Sequence, residues 1–393
     1  MCGICGFIGE VKDSKNVLKK MMDKIAHRGP DDEGMYVDEY AALGHRRLSI
    51  IDLSHGAQPM YNETGDISIV FNGEIYNHLD IRKESLYPVK NAKDIDRFLK
   101  EYLSKEIDKN TGILLSGGID SAILASYLPK GTKAYTIYFS TENAINESIK
   151  AKEYCKVYDL EHKTVNVYWE DYLQFAPKLM EHKKAPLHAI EVALYKASIE
   201  AKKDNINKLI VGNGADSNFG GMDKLLSKDW LFDEFVNRYT FVMPNKVLKE
   251  YSNIDYIYEP FRQGEYIDYL SFLNKVHGVG IIQAFENAFS LAGIEAIEPY
   301  ENMYLNDKLD LNKIRNGNSK YLIRELFKER YPNFDVAEKI PFRRPMEKWL
   351  SDYNGNNIRE EFISENISSL SGDQKWLIFC LELFLNLHDE GKL

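Results

Sequence analysis

The sequence predicts an α/β protein: an α+β first part, then a parallel sheet covered by helices, then a largely helical end. Three observations carry that expectation. Beyond about residue 108, strand-like and helix-like segments alternate, which is the pattern of a parallel, helix-covered sheet. Before it, a glycine-rich strand, one amphipathic helix and further strands follow without that regular alternation. From about Lys224 onward the pattern is mainly helical and rich in aromatics.

Taken in order, residues 2–9 read as a short strand, 15–27 as an amphipathic helix, and 41–53 and 67–72 as strands. After Tyr87-Pro88, residues 92–107 form a lysine- and aspartate-rich helix, and Asn110-Thr111-Gly112 marks the start of a buried strand at 113–115. The expected boundary therefore divides residues 1–107 from 108–393. Past it come a helix from Ser121, a strand at 134–139, a helix from Ala144, a strand at 163–167, further helices and a strand at 209–212. A chain of 393 residues is long enough for two such domains, each with its own core. No internal repeat or low-complexity segment interrupts them.

Charge and cysteine usage exclude several classes. The balance of 50 Lys+Arg against 60 Asp+Glu gives a net charge of -10, with no block of like charges suited to nucleic acid or a membrane surface. No run approaches the roughly 18 apolar residues that cross a bilayer, and the first residues lack a basic-then-apolar pattern, so a cytoplasmic location is expected. Four cysteines, Cys2, Cys5, Cys155 and Cys380, are too few for a disulfide scaffold. Cys2 and Cys5 form a Cys-x-x-Cys pair, but no second pair completes a zinc site.

The stretch Leu114-Leu115-Ser116-Gly117-Gly118-Ile119-Asp120-Ser121 carries the first chemistry. A strand runs into two glycines and two serines where a helix begins. Glycines let backbone N–H groups close on an anion, the helix start adds positive partial charge, and Ser116 and Ser121 add hydroxyl donors. Asp120 is placed to hold the Mg²⁺ that accompanies phosphates. The Walker ending Gly-Lys-Ser/Thr is absent, which disfavours γ-phosphate transfer. A second loop, Val211-Gly212-Asn213-Gly214-Ala215-Asp216, also follows a strand and carries a second acid, Asp216, that could bind the same metal.

Ser-Gly-Gly-Ile-Asp-Ser after an apolar strand resembles the pyrophosphate loop of the ATP-pyrophosphatase superfamily, whose members cleave ATP to AMP and pyrophosphate. The resemblance implies a Rossmann-like domain with ATP held by Leu115, Ser116, Gly117, Gly118, Asp120, Ser121, Phe139, Gly212 and Asp216. Ser319-Lys320-Tyr321-Leu322-Ile323-Arg324 and Glu338-Lys339-Ile340-Pro341-Phe342 resemble the C-terminal helices of asparagine synthetases, in which a lysine reaches the phosphates. That implies a catalytic Lys339, stabilising the charge on departing pyrophosphate.

In the first part, Cys2 directly follows Met1; once exposed, its own α-amino group, with a pKa of about 8, could take the thiol proton. Four separated stretches resemble class II glutamine amidotransferases, which have an Ntn-hydrolase-type fold. They are His27-Arg28-Gly29-Pro30-Asp31, Leu43-Gly44-His45-Arg46-Arg47-Leu48-Ser49-Ile50, Gly56-Ala57-Gln58-Pro59-Met60 and Phe71-Asn72-Gly73-Glu74-Ile75-Tyr76-Asn77-His78. The match implies Arg47 for the glutamine carboxylate, Asn72 and Gly73 as the oxyanion hole, and Glu74 and Asp94 as further glutamine-binding residues. Together the halves resemble the glutamine-hydrolysing asparagine synthetase family. The implied reaction uses ATP and Mg²⁺ to make an acyl-AMP from a carboxylic acid such as aspartate, which ammonia from glutamine, or free ammonia, then converts to an amide.

Two departures qualify that implication. The amidotransferase domain is about half the family's usual length, which should bare an apolar face and implies a homodimer, a partner subunit or an inactive glutaminase. Near the acceptor, Asn213 and Ser217 stand where the family has Glu, Ile297 where it has Arg, Asn302 near its Asp, and Lys183-Lys184 where acidic residues are usual. Adenylation of a different carboxylate, for amide or ring formation, and a non-catalytic nucleotide-binding relative are the alternatives.

Overall fold

The computed structural model describes residues 2–47, 57–62, 64–72, 86–141, 146–336, 344–356 and 358–393. The chain divides into two compact units, Met1–Glu84 and Ser85–Leu393. Among the described residues no helix is long and apolar enough to cross a membrane.

In the first unit, strands β1 (Gly3–Ile8), β2 (Asp32–Val37) and β3 (Ala41–Arg47) form an antiparallel sheet in the order β1-β3-β2. Helix α1 (Ser14–Lys24) lays Leu18 and Met22 on Ala42, with Cys5, Phe7, Met35 and Val37 around them. Gly44 makes that approach possible, since a Cβ there would stand 2.7 Å from Met22. A short hairpin, β4 (Met60–Tyr61) and β5 (Ser68–Ile69), completes the described part. Strand β2 escapes sequence reading because its segment, Asp-Glu-Gly-Met-Tyr-Val, alternates weakly and opens on two acids.

The second unit is built on a five-stranded, all-parallel sheet. Four of its strands are β7 (Thr111–Leu114), β8 (Lys133–Phe139), β9 (Glu161–Val167) and β10 (Lys208–Ile210), with β6 (Tyr87–Val89) lying outside the sheet. The fifth, β11 (Glu295–Ile297), is hidden in the stretch read as helical, because three residues are too few to show a period. The order is β11-β10-β7-β8-β9. The direction of winding therefore reverses between β7 and β10, and in open parallel sheets ligands bind at the carboxyl ends of the strands beside such a reversal.

Helices cover both faces. On one, α2 (Ala92–Glu106), α3 (Ile119–Ala125), α4 (Ser148–Tyr158) and a helix at Tyr321–Arg330 share a core that includes Leu99, Ile123, Tyr154 and Phe327. On the other, α5 (Trp169–Lys183) and α6 (Glu191–Lys203) pack with α8 (Gly278–Ala292) and the last helix, Gly372–Asp389, around Trp376. Between α6 and α8 lies the short α7 (Ala215–Phe219). Packing assigns residues 85–106 to the second unit, ahead of the change of pattern at 107/108. The reason is the buried stripe Ala92, Ile95, Leu99 and Leu103 on α2, together with pairing of β6 to a strand at Met303–Leu305.

Candidate functional site

The carboxyl ends of β7 and β10 feed two loops that meet over a cleft of about 270 Å³. The first loop closes on itself: the Ser121 hydroxyl accepts from the Ser116 N–H at 3.0 Å and lies 2.9 Å from the Ser116 hydroxyl, which accepts from the Gly118 N–H at 3.1 Å. These contacts join residues at most five apart, so the loop is shaped by its own sequence. The Gly117 N–H donates to Glu147 at 3.3 Å, and burial raises the Glu147 pKa against that donor. A carboxylate thus already occupies one of the amides expected to face an anion.

The second loop turns at Gly214, whose φ of 87° suits glycine, into α7 and Asp216. It is tied down by Asn218, whose amide donates to the carbonyls of Tyr300 at 2.9 Å and Met303 at 3.3 Å. Asp120 and Asp216 then converge on one cation. The ammonium of Lys320 lies 2.6 Å from Asp120 and 2.9 Å from Asp216, and Lys320 is only 4 % exposed. Burial works against the charged ammonium, yet the two carboxylates outweigh it and hold Lys320 above the ordinary lysine range. Gly221 leaves the space for this pair, since a Cβ there would fall 1.9 Å from the Asp216 Oδ1 and 2.8 Å from the Lys320 Cδ.

Two carboxylates facing one point are the usual protein share of a magnesium–nucleotide site, and an ammonium already stands there as a built-in cation. The donors fit a divalent metal. Among the described residues no cluster of three or more His, Cys, Asp or Glu could hold one alone, so the remaining ligands would have to come from phosphate or water.

The cleft wall comes from Tyr135, Thr136 and Ile137 on β8, Ile190 and Leu194 at the start of α6, and Phe285 on α8. Leu115, Ser116, Asp120, Ser121, Gly212 and Asp216 line it, whereas Gly117 and Gly118 do not. Phe139 does not: it is buried in the core, edge-on to Trp349 at 5.9 Å. Lys339 lies outside the described residues. Lys320, Gly221 and Glu147 were missed, although Lys320 belongs to a stretch singled out by resemblance; its partner Asp120 is 200 residues away. The departures near the acceptor are accommodated locally. Asn213 donates to Glu298 at 3.0 Å, Asn302 to the Glu298 carbonyl at 3.0 Å, and Lys183 pairs at 2.8 Å with the fully buried Glu191. Ile297 is buried in β11.

In the first unit, the β1–β3 register pairs Gly3 with Arg46, so Cys2 lies one step on, beside Arg47 and on the same face as Ile4 and His45. Arg28 donates to the Cys2 carbonyl at 3.3 Å. Gln58 clamps the Phe71 backbone, accepting from its N–H at 2.5 Å and donating to its carbonyl at 3.1 Å, which positions Asn72 next in the chain. Gly73 and Glu74 lie outside the described residues. Asp94 belongs to the second unit, where it accepts from the Lys90 N–H at 3.0 Å beside the α2 N-cap Asn91.

His45 is 1 % exposed, and burial, with Arg47 adding to it and Asp32 opposing, lowers its pKa from 6.5. The folded ring stays neutral where the unfolded chain takes up a proton, so stability is full above pH 6.5 and falls as pH drops below it. The slope from this one proton is at most about 1.4 kcal/mol per pH unit. We expect His45→Gln to flatten urea-derived stability of the first unit between pH 7 and 5; parallel curves for the two proteins would refute this.

Fold and cleft together define an α/β protein with a smaller α+β unit and a parallel-sheet unit that carries a nucleotide-type cleft. Residues 1–103 match the glutamine amidotransferase domain and residues 103–269 the asparagine synthase domain. The chain is 32% identical over 157 residues to asparagine synthetase (glutamine-hydrolysing) 1 of Bacillus subtilis strain 168, covering 36% of this chain and 24% of that protein. It is 38% identical over 110 residues to asparagine synthetase B of Escherichia coli K12, covering 27% and 20%. The alignments thus span a quarter or less of those relatives' own length. An ammonia-dependent NAD synthetase from Campylobacter jejuni aligns over 42% of this chain and 79% of its own at 17% identity, with a TM-score of 0.23, a likeness too slight to bear on function. Both stretches are thus similar to domains found in the glutamine-hydrolysing asparagine synthetases.

Proposed function

We propose that this protein is a carbon–nitrogen ligase that joins a carboxylate to AMP and converts the acyl-adenylate to an amide, acting in the cytoplasm with glutamine or ammonia as nitrogen donor. The observation that carries this reading is the meeting of the β7 and β10 loops on Asp120, Asp216 and Lys320 where the sheet's winding reverses. An acceptor carboxylate oxygen attacks the α-phosphorus of ATP, the bond to the β-phosphate breaks, and pyrophosphate leaves. Ammonia then attacks the acyl carbon, loses a proton and expels AMP. Asp120 and Asp216 would hold Mg²⁺, which, when bound, neutralises phosphate charge. Amides of the 116–118 turn and Lys339 orient and stabilise the leaving pyrophosphate.

In the first unit, the Cys2 sulfur attacks the glutamine amide carbon, with Arg47 on the substrate carboxylate and Asn72 and Gly73 at the oxyanion. Ammonia departs, and water releases glutamate. We keep residues 1–107 and 108–393 as the functional division, a reading supported by family matches that adjoin at residue 103. Ile8, 89 % exposed on the edge strand β1, with Ile4, Ile67 and Ile69 also exposed, supports a homodimer or partner covering this unit.

A second reading, that the acceptor is not aspartate, is favoured by the cleft lining. Among the described residues its charged groups are Asp120, Glu147 and Asp216, all acidic, facing Ile137, Ile190, Leu194 and Phe285. Among the described residues a second carboxylate on the acceptor would meet no cation there beyond Lys320, which Asp120 and Asp216 already engage. The test is incubation with ATP, Mg²⁺ and a panel of acids that includes aspartate and apolar monocarboxylates. AMP and pyrophosphate are expected in equal amounts, fastest with a monocarboxylate. Formation of ADP and orthophosphate would end the adenylation reading, and a preference for aspartate would end the second.

A further inference from the structure

The point between Asp120 and Asp216 is filled by part of the protein itself. The Lys320 side chain arrives from the N-terminal end of the Tyr321–Arg330 helix and is held there from two sides. Its own backbone N–H donates to the Gly220 carbonyl at 3.3 Å, and its side chain runs beside Gly221, where a Cβ would stand 2.8 Å from Cδ. At 2.6 and 2.9 Å from the two carboxylates, the ammonium leaves no room for a metal ion between them. A magnesium ion binds oxygens at about 2.1 Å and gives up its water reluctantly. It would have to displace a buried, doubly paired ammonium while gaining only two protein ligands, since no third carboxylate, His or Cys joins the cluster among the described residues.

We propose that Lys320 is a tethered counter-cation that bars divalent metal from Asp120 and Asp216 until a nucleotide brings both the metal and the phosphate oxygens that complete its shell. The ammonium then exchanges its carboxylate partners for phosphate. Nucleotide-free metal is then a poor ligand, and the metal enters together with the phosphates. This rests on the reading of Asp120 and Asp216 as the carboxylates that share the metal with ATP.

Mn²⁺ tests it without turnover. The full chain, free of nucleotide, is titrated with Mn²⁺ while free Mn²⁺ is followed by its paramagnetic resonance signal, and thermal unfolding is recorded with and without the metal. Wild type should show no saturable site. Lys320→Met, which leaves two carboxylates unneutralised, should unfold at a lower temperature, recover on adding Mn²⁺, and bind the ion roughly tenfold or more tightly than wild type. Lys320→Gln, which removes the charge but keeps a polar N–H group near the carboxylates, should show the same gain if the methionine variant does not fold. Lys320→Met with Asp216→Asn should lose it. Saturable Mn²⁺ binding by nucleotide-free wild type as tight as in the variants, or no gain in the folded variants, would overturn the proposal. AMP formation by wild type, followed in parallel, separates the two readings: its absence would sink adenylation while the Mn²⁺ contrast still decides the role of Lys320.

Discussion

Alanine at Gly221 should lower ATP-dependent pyrophosphate formation by roughly a hundredfold or more, although the substitution adds a single methyl. Its Cβ would lie 1.9 Å from the Asp216 Oδ1 and 2.8 Å from the Asp216 Cγ and the Lys320 Cδ, well inside van der Waals contact. A flexible neighbour could swing clear. These two cannot do so independently, because Asp216 is held by the Lys320 ammonium, and Lys320 is buried and also bound to Asp120. The carboxylate has to rotate away, which breaks the convergence that places the phosphates. Overpacking of this kind also costs about 1–3 kcal/mol of stability. Pyrophosphate release and thermal unfolding measure the two effects separately. Gly280→Ala is the control: Gly280 sits in α8 with nothing within 4 Å of an added Cβ, so it should be neutral or slightly stabilising. Wild-type activity in Gly221→Ala would show that the pair at Asp216 does not order the nucleotide.

Replacing Cys2 by alanine should abolish glutamate release from glutamine, by roughly a thousandfold or more, and leave amide formation from ammonium salts intact. The reason lies in the ladder. Register puts Cys2 beside Arg47 at one end of β1 and β3, and the Arg28 bond to its carbonyl holds the strand start. Cys2 and Arg47 then have fixed anchors on one face, whereas the candidate nucleotide cleft belongs to a unit with its own core. Assays with glutamine and with ammonium chloride, each scored for AMP, distinguish the outcomes. Glutamate release by the alanine variant would remove Cys2 as nucleophile; loss of the ammonium-driven reaction would tie it to the synthetase half.

The parallel-sheet half was readable because β8 and β9 and most of its helices are long enough to show their periods, and because β7 and β10, though short, are apolar runs that lead directly into glycine-bearing loops. The second unit's upstream limit was not. Residues 92–106 look like any amphipathic helix, and only the partners of Leu99 and Leu103 tell which core claims them. Phe139 shows the same limit in the site: the family resemblance placed it among the nucleotide contacts, but its ring lies in the core against Trp349, and β8 lends the cleft wall Tyr135, Thr136 and Ile137.

By itself, the amino-acid sequence determined the phosphate-type loop and the two acids, since the Ser116–Ser121 turn is closed by hydrogen bonds between residues at most five apart. Tertiary structure alone decided what those acids face. The Lys320 ammonium reaches Asp120 across 200 residues of chain only because the Tyr321–Arg330 helix packs against α3 and the chain makes room at Gly221. A buried charge is tolerated where packing brings its opposite within reach, and that juxtaposition is written in no single segment.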